Sequence, residues 1–169
     1  GPAPETCALL AWIRQQGPLA PATEARITNL PVYLSSFVGR QRQMADVERL
    51  LSRHRMVTLT GPGGSGKTRL AIQVAANLVD AYRNGIWFTD LAAVQGAAFV
   101  PAAIGRSLGL EGTDDALLPD AIVDVLRPRR VLLVWDNCEH VVDACARMAE
   151  SILPAAPHVT ILATSRAVL

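Results

Sequence analysis

The residues Gly61-Pro62-Gly63-Gly64-Ser65-Gly66-Lys67-Thr68 satisfy the pattern G-x-x-x-x-G-K-[ST], the Walker A form, at every fixed position. The run before it, Met56 to Thr60, is apolar and β-branched, which predicts a strand. After it, Leu70, Ala71, Val74, Ala75, Leu78 and Val79 recur at helical spacing, which predicts a helix from Lys67 to Val79. A glycine-rich turn between a strand and a helix has a specific physical use. Glycines let the backbone curl until successive N–H groups point inward at phosphate oxygens, and the positive end of the helix adds to the attraction. Lys67 would bring a point charge to the β- and γ-phosphates, and the Thr68 hydroxyl is placed to ligate Mg²⁺. The nucleotide-binding candidates are therefore Gly61, Pro62, Gly63, Gly64, Ser65, Gly66, Lys67 and Thr68, with Arg69 following. Lys67 is also the only lysine in the chain, every other cationic side chain being arginine.

The remainder of the sequence has to supply a sheet around this unit. Arg40 to His54 places Met44, Val47, Leu50 and Leu51 on one helical face. Asn84-Gly85 marks a turn before a second strand, Ile86 to Thr89. Helices are predicted over Phe99 to Leu108 and Ala116 to Leu126, the latter with Asp114 or Asp115 as N-cap. A fully apolar strand, Val131 to Trp135, an amphipathic helix, Val141 to Leu153, and another apolar strand, Val159 to Ala163, complete the pattern. Apolar strands alternating with helices predict an α/β fold, a mainly parallel sheet between two helical layers. A charged fraction of only 18% agrees with a sheet buried on both faces.

Residues 1–30 read as a short helix, Leu9 to Ile13, and a proline-rich linker, with Gly1-Pro2 set aside as the dipeptide that tag removal leaves; residues 31–169 read as the core domain. Three scattered cysteines, Cys7, Cys138 and Cys145, suggest neither a disulfide framework nor a zinc site and fit a reducing cytoplasm. The longest uncharged stretches are too short and too interrupted by proline to span a membrane. A net charge of +1 argues against a large nucleic-acid footprint, and Arg127-Pro128-Arg129-Arg130 reads as an exposed turn between helix and strand.

A phosphate loop needs a carboxylate from a neighbouring strand end to support the metal. Val131-Leu132-Leu133-Val134-Trp135-Asp136 supplies one: taken alone, Asp136 is equally a helix N-cap, but with the loop upstream it is the Walker B candidate and, with Thr68, the expected magnesium ligand. The next residue, Asn137, cannot act as a general base. Glu139 could orient water if its loop folds in, or, with His140, simply be solvated. Arg166, after the last strand, is placed to reach a γ-phosphate. The catalytic candidates are Lys67, Asp136, Glu139 and Arg166.

Five segments occur together in order: Phe37-Val38-Gly39-Arg40, the glycine-rich loop, Trp87-Phe88-Thr89-Asp90-Leu91, Trp135-Asp136-Asn137-Cys138-Glu139-His140, and Ala163-Thr164-Ser165-Arg166. The set resembles the STAND class of signalling ATPases, and more narrowly the NB-ARC-type nucleotide domain of large bacterial SARP- or LuxR-type transcription regulators, over roughly residues 29–169. The resemblance implies a P-loop NTPase core with its strands ordered second, third, fourth, first. It implies ATP or ADP with Mg²⁺ as ligand, Val38, Gly39 and Arg40 against adenine and ribose, Asp136 supporting the metal and Arg166 sensing the γ-phosphate. The implied function is a switch with slow ATP hydrolysis, a weak ATPase at most. The implied partners are the other domains of a parent regulator, DNA being contacted only through domains outside this chain. Gln41 and Gln43 depart from the acidic residues the family often carries there. The family also continues past the sensor arginine into another strand that pairs with the loop strand, so the sheet edge at Met56 to Thr60 is expected to be covered by the Ala3 to Pro31 segment folding back or by self-association with a second copy, or else to leave the chain marginally stable and prone to aggregate. A P-loop kinase or other metabolic ATPase, and an interaction module with a decayed nucleotide site, remain the alternatives.

Overall fold

A computed structural model describes residues 28–35 and 39–166. The short helix expected at Leu9 to Ile13, and the candidate Val38, lie outside the described residues. The chain runs α1 (Gln41–Arg53), β1 (Met56–Thr60), α2 (Lys67–Asn77), β2 (Ile86–Asp90), α3 (Val100–Ser107), α4 (Leu118–Leu126), β3 (Val131–Asp136), α5 (Val142–Ala155) and β4 (Val159–Ser165). All strand pairings are parallel, and the order across the sheet is β1-β4-β3-β2. This is the predicted order read from the opposite edge.

Every residue of β3 and β4 is buried, which explains why both read as uninterrupted apolar runs instead of alternating ones. Their side chains feed two cores. On one face Leu133, Trp135, Ile161 and Ala163 pack against α3, α4 and α5; on the other Leu132, Val134 and Leu162 pack with Val57 and Ile86 against α1 and α2. The molecule is thus a three-layer α/β fold.

Local departures from the predicted elements have local causes. The N-cap of α4 is Leu117, not Asp114 or Asp115; Asp114 spends its Oδ1 on the Ala116 N–H (3.0 Å) in the preceding turn. Strands β2, β3 and β4 each run on into polar residues, because Asp90 pairs in register with Asp136 and Thr60 with Ser165. Helix α5 continues through Pro154 to Ala155. Its end is met from outside: the Arg55 guanidinium donates to the carbonyls of Leu153 (2.7 Å) in the last turn and of Ala156, the C-cap, and also to that of Val159 (3.2 Å) at the start of β4. At the β2 edge Thr28 forms a parallel bridge to Ile86, and the Asn29 side chain accepts from the Phe88 N–H (2.6 Å) and donates to its carbonyl (2.9 Å). Among the described residues no strand pairs with the outer side of β1, and no helix is long and apolar enough to cross a membrane.

Candidate functional site

In a parallel sheet all strand-to-helix loops emerge at the carboxyl ends, where open α/β folds bind ligands. Here that end gathers the glycine-rich loop after β1, Asp90 after β2, Asp136 to Glu139 after β3 and Arg166 after β4.

The loop curls through left-handed backbone at Gly64 (φ 76°) and Gly66 (φ 83°), conformations that a side chain would strain, and Gly66 is the N-cap of α2. Among the described residues no side chain caps that helix, which leaves its first N–H groups available to a ligand. Lys67 lies back across the loop, donating from Nζ to the carbonyls of Gly61 (2.7 Å) and Pro62 (2.8 Å) and to Ser65 Oγ (3.4 Å). Two arginines border the same glycines. A Cβ added at Gly66 would meet the Arg40 guanidinium at 2.9 Å, and one added at Gly63 would meet Arg166 Nη2 at 2.8 Å. Gly39 (φ 90°) turns the chain into Arg40, the N-cap of α1.

Asp136 is 2% exposed, so its carboxylate must be satisfied by donors. The Thr68 hydroxyl donates to both its oxygens (2.8 and 3.0 Å), the Thr164 hydroxyl to Oδ1 (2.5 Å) and Asn137 Nδ2 to Oδ2 (3.0 Å). Thr164 Oγ1 also accepts the Asn137 N–H (3.0 Å), which holds Asn137 at φ 60°, an unusual left-handed backbone for a residue other than glycine. From there Asn137 Nδ2 reaches Asp90 Oδ1 (3.0 Å), linking the ends of β2 and β3. Glu139 forms an ion pair with Arg166 (3.6 Å), and His140 Nε2 sits 2.8 Å from the Val94 carbonyl oxygen. The loop glycines Gly63, Gly64 and Gly66, with Lys67, Thr68, Arg69, Asn137, Glu139 and Arg166, line a concavity of about 320 Å³. Beneath it the buried Cys138 thiol is held well above the ordinary thiol range by its hydrogen bond with the Cys145 side chain and by burial, so it stays a neutral packing group.

Lys67, Thr68, Asp136, Glu139 and Arg166 therefore converge on one hollow. Arg69 also borders this hollow, while its guanidinium donates to Ser35 Oγ (2.9 Å) and lies 5.3 Å from the Tyr33 ring centroid. Thr164 and Asp90 lie in two of the segments that carry the resemblance, but the sequence alone does not show what each side chain contacts. The register contains a signal for Thr164: Trp135 pairs with Ala163, so the next residue of β4 stands beside Asp136. The donor set fits a magnesium nucleotide: a hydroxyl and a carboxylate within hydrogen-bond distance at the head of a helix, with an ammonium satisfied, among the described residues, by the loop's own oxygens.

The model of the AAA ATPase domain matches residues 36–163. A putative HTH-type transcriptional regulator of Mycobacterium tuberculosis is 45% identical over 117 residues, which is 69% of this chain and 13% of that protein. The regulatory protein AfsR of Streptomyces coelicolor is 33% identical over 162 residues, covering 83% of this chain and 16% of its own length. Even the curated relative covered most extensively among the leading matches is spanned over only 34% of its length. Among solved structures, a STAND protein with a tetratricopeptide repeat sensor from Pyrococcus horikoshii superposes with a TM-score of 0.54 at 19% identity, over 82% of this chain and 22% of that one. The fold is that of a P-loop NTPase, the curated relatives named here are regulators, and the chain belongs to the AAA ATPase domain family.

Proposed function

We propose that this chain is a nucleotide switch: it binds ATP or ADP with Mg²⁺ at Gly61 to Thr68, hydrolyses ATP slowly, and passes the difference between the two states to other domains of a multidomain regulator. The observation that carries the reading is the contact between the Thr68 hydroxyl and the buried Asp136 carboxylate at the mouth of the Lys67 loop. Both are ligand types for magnesium, and both are already oriented before any ion arrives. Magnesium, when bound, supplies neutralisation of the phosphate charge. The protein's own contribution is the cradle of backbone N–H groups, the Lys67 ammonium once it leaves the Gly61 and Pro62 carbonyls, and two arginines at the rim.

Arg166 gives the switch its sensor. Its guanidinium lies over Gly63 and is paired with Glu139, so a γ-phosphate entering the hollow offers it a stronger, doubly hydrogen-bonded partner. A diphosphate does not. Arg40, whose guanidinium lies against Gly66, would be its counterpart towards the base and ribose. A ligand shifts an equilibrium only by its differential affinity for the two states, and this contact is where ATP and ADP differ. Both AfsR and the Mycobacterium tuberculosis relative bear names of regulators, which supports assigning the output to partner domains.

Isothermal titration with ATP, ADP and GTP, with and without Mg²⁺, tests the reading. Magnesium-dependent binding of adenine nucleotides is the expected result. No heat with any of the three would reject the loop as a working site.

A further inference from the structure

The opposite end of the sheet carries a second chemistry. Four helix-to-strand loops enter the strands there, at residues 54–55, 83–85, 127–130 and 156–158. With the last residue of α1 they bring together Arg53, Arg55, Arg83, Arg127, Arg129 and Arg130. His54 and His158 stand among them, and all of these side chains are exposed except Arg129, which is half-buried. The acids nearby are Glu48, Asp80 and Asp124, of which Asp124 is paired with Arg127 (3.3 Å). Arg53, Arg83 and Arg129 have no acidic partner among the described residues. Six of the chain's 16 cationic residues thus stand at one end of a molecule whose net charge is +1.

The loops form a braced platform. Arg55 ties the β1 entry to α5 and β4 through three carbonyls. The Arg130 N–H donates to Asn84 Oδ1 (2.8 Å), its Nε to the Ala81 carbonyl (2.8 Å), and the Asn84 N–H to the Arg130 carbonyl (3.1 Å), tying the β3 entry to that of β2. Between the β1, β2 and β4 entries lies a groove of about 390 Å³ whose lining includes Arg53, His54, Arg55, Arg130 and His158, with Glu48 as its one acid and with Leu51, Leu78, Ala81 and Tyr82 as its apolar part. Four strands set about 4.8 Å apart spread the row over roughly 14 Å. That span is comparable with the ~12 Å width of the major groove of a DNA duplex.

We infer that this amino-terminal end of the sheet is a docking surface for the phosphate backbone of a nucleic-acid duplex. Arginine forks suit phosphate oxygens. A protein partner fits the surface less well, because protein interfaces centre on aromatic and apolar anchors, whereas nucleic-acid interfaces are polar and strongly positive. Among the described residues, none of the exposed large hydrophobic side chains lies in these four loops. The contact carries no base readout, since the donors stand in a shallow row with no element projecting from it; it reads phosphate alone. A strand's length, about 17 to 23 Å, separates the surface from the glycine-rich loop, so both can be occupied together.

The test is fluorescence anisotropy of the 169-residue chain with labelled duplexes of about 20 base pairs in two unrelated sequences. With about four phosphates neutralised, the logarithmic salt slope should lie near −3.6, so raising salt from about 50 to 200 mM should weaken binding roughly a hundredfold. The triple variant Arg53→Glu, Arg83→Glu, Arg129→Glu should lose binding, while thermal unfolding and titration with ATP stay as in the parent chain. Should charge reversal unfold the protein, Arg53→Ala, Arg83→Ala, Arg129→Ala should still weaken binding tenfold or more. Unchanged affinity in a folded triple variant would overturn the inference. So would loss of duplex binding in Lys67→Ala, which would place the polyanion on the glycine-rich loop, or equal affinity for polyglutamate, which would indicate an acidic protein partner.

Discussion

Replacing Thr164 by valine removes one hydroxyl and almost no volume, so its cost isolates the polar network under Asp136. Thr164 is 1% exposed, and its Oγ1 both donates to the Asp136 carboxylate and accepts the Asn137 N–H. A lost hydrogen bond to a buried charge costs about 1.5 to 3 kcal/mol. The orphaned Asn137 N–H adds about 1 kcal/mol, reduced where water can reach that half-buried residue. Thr164→Val should therefore destabilise the chain by roughly 2 to 4 kcal/mol, a large part of the 5 to 15 kcal/mol typical of a domain. At about 2 to 4 °C per kcal/mol for a chain of this size, the melting temperature should fall by roughly 4 to 16 °C. Urea unfolding should show a lower midpoint at unchanged slope, because the surface exposed on unfolding is the same. Combining it with Asp136→Asn should be non-additive, since both act on one network. A change below about 0.5 kcal/mol would refute the claim that Thr164 is a principal donor to Asp136.

Three further outcomes are expected. Lys67→Ala should weaken triphosphate binding about tenfold or more, the worth of a charge-assisted phosphate contact, while circular dichroism shows the fold intact. ATP turnover by the chain should be slower than about 1 s⁻¹, because Asn137 adjoins Asp136 where a catalytic acid would be needed; phosphate release at kinase-like rates of about 1 to 100 s⁻¹ would favour an enzyme over a switch. Arg55→Met should lower stability by about 1 to 3 kcal/mol in urea denaturation, since it strips donors from the end of α5 at Leu153 and Ala156.

What the sequence made legible follows from what is local. Met56 to Thr60 is predicted to the residue because an apolar β-branched run is cut off by glycines. The sheet order came with the resemblance, and the three layers follow from the alternation of elements. The ends of β3 and β4 were harder, since Asp136 and Ser165 look like loop residues until their strand partners are known. Nor could spacing show that Asn137 joins Asp90 across 47 positions, or that Thr164 serves Asp136 across 28; such contacts exist only after the strands are laid side by side. Arg69 adds a contact of the same kind: it borders the hollow after Thr68, and its guanidinium also reaches Ser35 across 34 positions and the Tyr33 ring.

The charge of the chain was legible too, but not as a sum. A parallel sheet sorts its loops by parity: each segment that follows a strand emerges at one end of the molecule and each that precedes a strand at the other. Sorted this way, the sequence separates into two chemistries. After the strands come glycines, Lys67, Asp90, Asp136 and Arg166; before them come Arg53 to Arg55, Arg83, Arg127 to Arg130 and His158. Lys67 and Arg166 balance Asp90 and Asp136 at one end, and the six arginines of the other are offset by acids elsewhere on the chain, so a net charge of +1 says little about either end. The same parity explains why the carboxylates needed for a metal and the arginines suited to a polyanion do not neutralise one another: β-strands five to seven residues long hold them apart by roughly two Debye lengths at physiological ionic strength. Each end therefore acts on its ligand nearly independently through the field. Coupling between them, if a regulator uses it, has to travel through the strands and helices that connect the loops.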